Sequence, residues 1–586
     1  MLKKYFYLFP LCYLLSLSIV APSFLKLYGN NSLVITLLIS VIIYTVFLLN
    51  NTAKPSYVYP LALFVISLSV LYCFMLRSDH LFGCDIHLEY YEFALVAENG
   101  RWIPYNLYSS CLSITIFPMI FSSITALNGE FVFRFLYPFL LSFVPVILFR
   151  VYRRWVGDDF GFVCALFFIA SSIYLEHIPS LGRQVVALVF LALIVLITAE
   201  SFDSLIKRGA FAVLSWGLIV SHYSTGWIYL FVLFSLMFFP YLKSRLRNKI
   251  VTSDERAITF RLFILVFCFA LIWYTIVSGT AFSVSVGYLY NVYKNLAYFF
   301  FLESRSPVAM ELVGIYPRQG LPNIFGYWLG NVIRGIILVG IMAFYLKKNK
   351  TRSFKIKGHY AFVGLTSVVV LVLFTIMPYT TMVYNLDRLY LTLLVFLLPF
   401  LPFGLQSVID LFPKLREKRK LVGIFLSALL VLQMAYAFGL VHQISGYHSF
   451  VVINKFDDAT VHNDLSPDSR YYIFDQEVVA AQWLAQYVPN TRLRHIVSDP
   501  IGKLIMTSHV LVYYDYETVL RSNSSDYLNF VGSYFFLRYE NAKYHKIYVG
   551  KYIGITNLIS ELSKQNRIHD NGISQTYQIT RTEQSE

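Results

Sequence analysis

The chain has 586 residues, of which 57% are hydrophobic, 18% are aromatic and only 14% are charged. Globular proteins contain about 25% charged residues, and many apolar runs here reach the roughly 20 residues needed to cross a bilayer, so a single soluble fold is excluded. The net charge of +15 is unevenly spread, because residues 443–586 carry 13 Lys and Arg against 15 Asp and Glu, which is −2, and residues 1–442 therefore carry +17. This distribution favours membrane topology and contact with anionic lipid over nucleic-acid binding.

Apolar segments predict an α-helical polytopic membrane protein with about 13 spanning helices. Lys3 and Lys4 precede the first segment, but it lacks a small-residue cleavage site and is long for the apolar part of a signal peptide, so we expect it to remain as a span. The predicted spans are residues 5–24, 33–50, 57–77, 131–149, 159–175, 184–200, 209–222, 224–242, 259–279, 325–346, 359–378, 388–408 and 420–441.

The basic residues predict the orientation in the cell membrane. With the N-terminus in the cytoplasm, the inner segments hold 24 Lys and Arg and the short outer loops hold about eight, as the positive-inside rule requires. This assignment needs residues 108–127 not to cross the membrane; that run is rich in Ser, Thr and Pro and is typical of an interfacial helix. The segments placed outside are then 78–130, 176–183, 280–324, 379–387 and 443–586.

The first outer loop is acidic. Asp85, Glu89 and Glu92 are spaced i, i+4 and i+7, so a helix over residues 86–98 would place the three carboxylates on one face, and Gly100 would end that helix. Like charges repel at this spacing, so a substrate, a metal or plain solvation must compensate. As a bare pattern, a solvated helix face fits the spacing best.

Six cysteines are present, and their spacing does not match a zinc motif. Four lie in apolar runs. Cys84 and Cys111 flank the acidic loop on the outer side, where a disulfide would be stable. The sequence leaves open whether these two residues pair.

Further ionisable residues lie at the edges of later outer loops. Glu176, His177 and Arg183 belong to one short hairpin, while Arg305 and Arg388 belong to later segments. Ionisable groups at membrane depth are candidates for function. At a loop edge, the alternative for each arginine is an interfacial anchor.

Residues 443–586 are mixed polar with an alternating pattern, which predicts a small extracytoplasmic α/β domain after a membrane domain over residues 1–442. Its expected elements are a strand at Arg470–Asp475, a helix at Glu477–Tyr487, a strand at His495–Ser498, a helical turn at Gly502–Ser508, a strand at Val510–Tyr514, and a hairpin of Phe535–Tyr539 with Lys546–Val549.

Residues 85–104 resemble the first outer loop of the GT-C glycosyltransferases, integral-membrane enzymes that use polyprenyl-phosphate-linked sugars. The family has an Asp at the start of an outer amphipathic helix, a small turn, a Trp, a Pro, a second interfacial helix, and a span with an Arg near its start. The matching features are Asp85, Asn99-Gly100, Trp102, Pro104, the run 108–127 and Arg134. The chain also resembles an archaeal membrane family of predicted GT-C type.

The resemblance implies that Asp85 lies at the reaction centre as a catalytic carboxylate. Glu176 occupies the place of a second acidic site in a later outer hairpin. The span count and the outer C-terminal domain resemble the oligosaccharyltransferase branch. The Trp-Trp-Asp-Tyr-Gly motif of that branch does not occur in the sequence, so transfer of a whole glycan to Asn is not expected.

Sugar transfer from a lipid phosphate needs a base for the acceptor hydroxyl and positive charge for the leaving phosphate. A carboxylate at a low-dielectric edge is expected to have a raised pKa, which suits Asp85 as the base. The guanidinium fork matches phosphate oxygens, which makes Arg183, Arg388 and then Arg305 candidates for phosphate binding. Other substrate-binding candidates are Glu89, His177 and Trp102.

Asp85, Glu176 and His177 could instead hold a divalent metal, Mg²⁺ or Mn²⁺, which would neutralise the leaving phosphate. The leading hypothesis is a glycosyltransferase that moves a hexose or pentose from a polyprenyl-phosphate donor to a glycan, a lipid-linked glycan or a surface protein. Membrane lipid, the donor and the acceptor are the expected partners. Two alternatives remain: a flippase or transporter of lipid-linked saccharide, and a membrane scaffold whose outer domain recruits partners.

Overall fold

The computed structural model is mainly helical. It describes residues 2–51, 54–199, 204–247, 259–301, 304–306, 309–310, 320–346, 355–380, 384–412, 420–447, 472–488, 496–511, 519–520, 532–548 and 552–580.

The described residues of the membrane part are mainly α-helical, with 3₁₀ turns at Ile178–Ser180 and Leu296–Tyr298 and a π-helical turn at Trp273–Val277. Its α-helices are α1 (Leu2–Tyr28), α2 (Ser32–Asn50), α3 (Val58–Met75), α4 (Asp85–Asn99), α5 (Ile116–Thr125), α6 (Gly129–Leu141), α7 (Phe143–Val156), α8 (Asp158–Ile169), α9 (Ser172–Glu176), α10 (Gly182–Ala199), α11 (Leu205–Ser221), α12 (Tyr223–Arg247), α13 (Phe260–Ile272), α14 (Thr280–Lys294), α15 (Leu321–Leu346), α16 (Gly358–Ile376), α17 (Leu386–Leu397), α18 (Phe400–Ile409), α19 (Lys420–Ala437) and α20 (Leu440–Ile444).

Nine of the described helical segments are long and apolar enough to cross a membrane, or up to 11 if each of two bent pairs forms one span. The bent pairs are α8 with the segment Ser172–Ser180, at 56°, and α17 with α18, at 71°. These segments correspond to 11 of the 13 predicted spans. The other two predictions fall on α11, which has 17 residues, and on α12, whose apolar part is Tyr223–Phe238, so the count of 13 stays a prediction.

The region 108–127 contains only the 10-residue helix α5. Such a helix is about 15 Å long, half the roughly 30 Å thickness of the hydrocarbon core. It is therefore too short to span, which agrees with the expectation of an interfacial segment.

The interior of the membrane part is built around α3 and α10. Helix α3 is apolar on all sides and most of its residues are buried, as is typical of a helix surrounded by other helices. It packs against α1, α6 and α7, and α10 packs against α6, α7 and α11. This packing brings the loop that follows α3 next to the first turn of α10, and helix α4 begins between them.

The C-terminal part contains helices and two small sheets. The first sheet has strand order β1-β2-β6-β5, with β1 parallel to β2 and the other pairs antiparallel, and β3 and β4 form a separate antiparallel pair. The elements are α21 (Asp475–Tyr487), β1 (Ile496–Ser498), α22 (Pro500–Val510), β2 (Tyr534–Leu537), α23 (Tyr539–Tyr544), β3 (Lys546–Tyr548), β4 (Tyr552–Gly554), α24 (Thr556–Leu562), β5 (Asn566–Asp570) and β6 (Gln575–Gln578).

Three predicted C-terminal elements are confirmed as α21, β1 and α22, but the predicted hairpin is wrong. Strands β2 and β3 both exist, yet β2 pairs with β1 and β6, and β3 pairs with β4. Helix α23 lies between β2 and β3 in the chain and separates them. Residues 472–474 are not a strand, while residues 470–471 and 512–514 of the other predicted strands lie outside the described residues.

Helix α22 joins the C-terminal part to the membrane part, because it packs against both α21 and α4. The His87 ring and the Ser508 hydroxyl are 2.8 Å apart across this contact. The division at residue 443 stays a prediction, because residues 448–471 lie outside the described part of the chain.

Candidate active site at the start of helix α4

Helix α4 presents three carboxylates to the protein interior. It begins at Asp85 and ends before Gly100, which has the left-handed conformation (φ 59°) that glycine adopts readily, so the helix and its end are confirmed. Glu89 and Glu92 are 0% and 2% exposed. The interpretation of this face as a solvated one is therefore wrong, and each carboxylate has its own buried partners.

Asp85 lies between two arginines that come from different helices. Its Oδ2 is 3.3 Å from Nη2 of Arg183, in the first turn of α10, and 3.0 Å from Nη1 of Arg388, in the first turn of α17. The Arg183 guanidinium also lies over the ring of Tyr108, 4.0 Å from its centroid. The side chains of Asp85 and Arg388 are 20% and 25% exposed, so a ligand can reach this pair.

These arginines decide the ionisation of Asp85. Burial opposes the charged form, but Arg183 and Arg388 outweigh it and lower the pKa of Asp85 below its usual range. The expectation of a raised pKa at this carboxyl is wrong, because the sequence did not reveal that two cations converge on it.

Glu89, one turn further along α4, caps the start of α10. Its Oε2 accepts a hydrogen bond of 2.7 Å from the backbone N–H of Gly182, where the helix dipole favours negative charge. Burial, together with the charge of Asp85, nevertheless raises the pKa of Glu89 to about 8. A Cβ at position 182 would lie 3.1 Å from Glu89 Oε2 and 2.8 Å from the Tyr137 ring, so glycine permits this close approach.

Glu92 holds the segment that follows α4. It accepts hydrogen bonds from the hydroxyl of Tyr105, at 2.9 Å, and from Nδ2 of Asn106, at 2.7 Å. Burial raises the pKa of Glu92 above its usual value, although both hydrogen bonds oppose this shift. Sequence reasoning missed Tyr105, Asn106 and Tyr108, because their roles depend on how the chain folds back over α4.

Several polar atoms in this cluster lack a hydrogen-bond partner among the described residues. They include Nη1 of Arg183, Nε of Arg388 and Oε1 of Glu89, all of them buried. Glu89 Oε1 is 3.3 Å from Nε of Arg183, but the two are not aligned as a hydrogen bond. Buried guanidinium N–H groups without acceptors favour the binding of an anion that offers several oxygens.

The loop before Asp85 is fixed at two points. Arg134 in α6 donates hydrogen bonds to the backbone carbonyls of Ser78 and Asp79. A Cβ at Gly83, which has φ +122°, would lie 2.7 Å from the Cβ of Ser180, so the loop packs directly on the turn after α9. The position of Asp85 is therefore set by its neighbours in space.

The remaining predicted site residues are His177, Glu176, Arg305 and Trp102. His177 directly follows α9 and lies within electrostatic range of Asp85 and Arg388, and Glu176 is the last residue of α9. Arg305 is not brought to the cluster, because its guanidinium donates to the carbonyls of Phe299, Phe301 and Ile376. Trp102 donates from its indole N–H to the carbonyl of Ser109, at 2.8 Å, and its ring stacks on Trp273.

Asp85, Glu176 and His177 are not gathered around one point in the described part of the chain. Their potential ligand atoms are not gathered within 4.8 Å of one another, whereas one other group of three among the described residues meets that distance. The Asp85 carboxylate already faces two cations, which disfavours a third. This arrangement disfavours a metal held by these three residues, and such a metal stays a prediction.

The open question about Cys84 and Cys111 is answered. The two residues do not form a disulfide in this structure; Cys84 is exposed and Cys111 is buried, where its Sγ contacts the carbonyl of Leu107 at 3.3 Å.

A cavity of about 140 Å³ is lined in part by residues of α9 and α17, the helices that carry Glu176 and Arg388. Its polar lining residues include Arg334 in α15 and Asp387 and Tyr390 in α17. Its walls thus combine polar side chains with apolar ones from several helices.

A family model described as "Predicted membrane protein (DUF2206)" matches residues 207–577. The chain belongs to this family. Together with the apolar helices, the match makes this DUF2206 member a multi-pass membrane protein. Among curated proteins, none matches the chain.

Two solved structures are similar to this DUF2206 chain. One is ArnT from Cupriavidus metallidurans bound to undecaprenyl phosphate, with 10% identity and a TM-score of 0.46 over 89% of this chain and 97% of that one. The other is the Archaeoglobus fulgidus oligosaccharyltransferase in complex with Zn and sulfate, with 13% identity and a TM-score of 0.37 over 82% of this chain and 69% of that one.

Proposed function

We propose that the chain is a glycosyltransferase that moves a sugar from a polyprenyl-phosphate donor to an acceptor hydroxyl on the outer membrane face. The observation that carries the proposal is the Asp85 carboxylate held between Arg183 and Arg388, with guanidinium N–H groups left over. The reaction needs a base and positive charge to bind the phosphate. The carboxylate supplies the base, and the two arginines supply the positive charge.

The donor phosphate would bind to the unused N–H groups of Arg183 and Arg388. Phosphate oxygens then compete with Asp85 for the two guanidiniums, which weakens the pairing that lowers the pKa of this carboxyl. Its basicity rises when the donor is bound, because the opposing charge is now shared. The site thus couples donor binding to activation of its base.

In the proposed reaction, the acceptor oxygen attacks the anomeric carbon of the sugar, and the bond from that carbon to the phosphate oxygen breaks. The acceptor proton goes to Asp85, and polyprenyl phosphate leaves with its charge held by Arg183 and Arg388. This single displacement inverts the anomeric centre. The cavity beside Arg334 has room for part of the donor headgroup.

The test uses purified full-length chain in lipid vesicles with a panel of radiolabelled polyprenyl-phosphate hexoses and pentoses. Release of polyprenyl phosphate together with a new glycosidic bond is the expected result. Asp85→Asn should lower the rate by about 10²–10⁴-fold, because the base is lost while the shape is kept. Asp79→Asn, in the loop that precedes Asp85 and with a side chain that is 56% exposed, is the matched control and should keep the activity.

Full activity in Asp85→Asn, with normal insertion and folding, would remove Asp85 from the mechanism. Movement of labelled donor across the vesicle membrane with no new glycosidic bond would instead establish the flippase alternative. Loss of all function on deletion of residues 443–586, with Asp85→Asn inert, would establish the scaffold.

A further inference from the structure

A second polar cluster lies where the C-terminal part meets the membrane part. It consists of His80, in the loop after α3, Glu130, the second residue of α6, and His509, in the last turn of α22. Glu130 Oε1 is 3.6 Å from Nδ1 of His80 and 3.6 Å from Nε2 of His509. The side chains are 15%, 18% and 6% exposed, respectively, so the cluster is shielded from solvent.

The three atoms that face one another are all buried, and none has a hydrogen-bond partner among the described residues. They are Nδ1 of His80, Oε1 of Glu130 and Nε2 of His509. Buried polar atoms are almost always hydrogen-bonded, so three convergent exceptions in one place call for a missing partner. That partner must satisfy two ring nitrogens and a carboxylate oxygen together.

Asp475 gives His80 the orientation of a metal ligand. Its Oδ1 is 3.0 Å from Nε2 of His80, on the opposite side of the ring from the cluster. A carboxylate that accepts the Nε2 proton leaves the lone pair of Nδ1 directed at the cluster. Metal-bound histidines commonly have such a carboxylate on the other ring nitrogen.

The spacing fits a tetrahedral transition metal. With metal–ligand bonds of about 2.0–2.2 Å, tetrahedral ligand atoms are roughly 3.3–3.6 Å apart. The carboxylate oxygen is 3.6 Å from each ring nitrogen, and all three atoms lie within 4.8 Å of one another. Two imidazoles and one carboxylate suit Zn²⁺ and its neighbours, whereas Mg²⁺ and Ca²⁺ prefer oxygen ligands.

We propose that His80, Glu130 and His509 bind a divalent transition metal of the Zn²⁺ class that fastens the C-terminal part to the loop preceding Asp85. The three ligands come from three separate segments, so the metal closes long loops of the chain. Solvent or a small ligand occupies the fourth position. This site is separate from the proposed transferase centre and does not depend on it.

The experiment uses the full-length chain in detergent, free of a polyhistidine tag, stripped with a chelator and then dialysed against ZnCl₂ or CoCl₂. The metal content by mass spectrometry should be about one Zn²⁺ per chain. The Co²⁺ form should show the strong visible ligand-field bands of a four-coordinate site. Zn²⁺ should raise the apparent Tm, because it binds the folded chain preferentially.

Glu130→Gln and His509→Gln should each lose the metal, the visible bands and the Tm shift. His545→Asn is the matched control, because His545 lies in the same part of the chain and has a positive φ of 53° that Asn tolerates. Glu130→Gln keeps the side-chain shape, so it remains informative if His509→Gln fails to fold. Wild-type chain that binds no Zn²⁺, or variants that bind it as the wild type does, would overturn the proposal.

Discussion

Two buried polar clusters begin five residues apart in the chain, at His80 and Asp85, yet they have opposite electrostatic character. Around Asp85, two guanidiniums face one ionised carboxylate, and some of their N–H groups have no acceptor among the described residues. Around His80, ring nitrogens and a carboxylate oxygen face one another and leave acceptors over. An excess of donors favours an anion and an excess of acceptors favours a cation, so neighbouring positions on one loop serve different ligands.

A large effect that separates the two clusters is expected when an arginine is removed from the first one. Arg388→Gln should lower sugar transfer by roughly 10²–10³-fold, the usual cost of losing one charge-stabilising donor, and should leave the metal content unchanged. Arg305→Gln is the matched control, because its guanidinium is bound to backbone carbonyls elsewhere. Rates with labelled polyprenyl-phosphate sugars measure the effect, and equal loss in both variants would contradict the assignment.

A smaller effect is expected at the second cluster when its outer support is removed. Asp475→Ala should weaken Zn²⁺ binding by about 10–100-fold, because His80 loses the acceptor that fixes its tautomer. Sugar transfer should stay near the wild-type rate at saturating Zn²⁺. Isothermal titration with ZnCl₂ checks this, and unchanged affinity would mean that Asp475 does not orient the ligand.

The smallest effect concerns the ionisation of Glu89. Its pKa is about 8 in the folded protein, against an ordinary value of 4.5. Between these two pH values the folded chain binds more protons than the unfolded chain. The stability of the folded chain therefore falls as the pH rises through this interval. Glu89→Gln removes the titrating group, and the difference in apparent Tm between about pH 5 and pH 8 should shrink.

Glu98→Gln, on the exposed end of the same helix, is the control for Glu89 and should keep the wild-type difference. Thermal unfolding in one detergent at both pH values gives the comparison. A Glu89→Gln variant with the full wild-type pH dependence would show that this carboxyl is not responsible for it.

The acidic helix that begins at Asp85 shows which features the sequence could predict. The spacing of Asp85, Glu89 and Glu92 predicted the helix and its shared face, and Gly100 predicted its end, because helix periodicity and the left-handed cap are local properties. The same spacing favoured a solvated face, which was wrong. Burial depends on the elements that cover a face, and here these are the returning segment at residues 105–109 and the start of α10.

The arginines show the same division. The sequence ranked Arg183 and Arg388 before Arg305 as phosphate-binding candidates, each at the edge of a predicted outer loop. Only the first two reach Asp85, 98 and 303 residues away in the chain. The guanidinium of Arg305 is bound to backbone carbonyls instead, and these contacts depend on the tertiary fold.

The histidine cluster could not be predicted from spacing at all, because His80, Glu130 and His509 come from three distant segments and form no motif. The hairpin expected at Phe535–Tyr539 failed for a related reason, since strand pairing depends on which edges are free in the folded sheet.

The sequence by itself determined that the chain is a multi-pass membrane protein, where most of its apolar helices run, and where an acidic helix begins and ends. These properties depend on apolar length, periodicity and glycine conformation, which act over a few turns of chain. Only the tertiary structure decided which charges meet and which faces are buried. Contact between residues hundreds of positions apart depends on how α3, α10 and α17 pack, and that packing is a property of the whole fold.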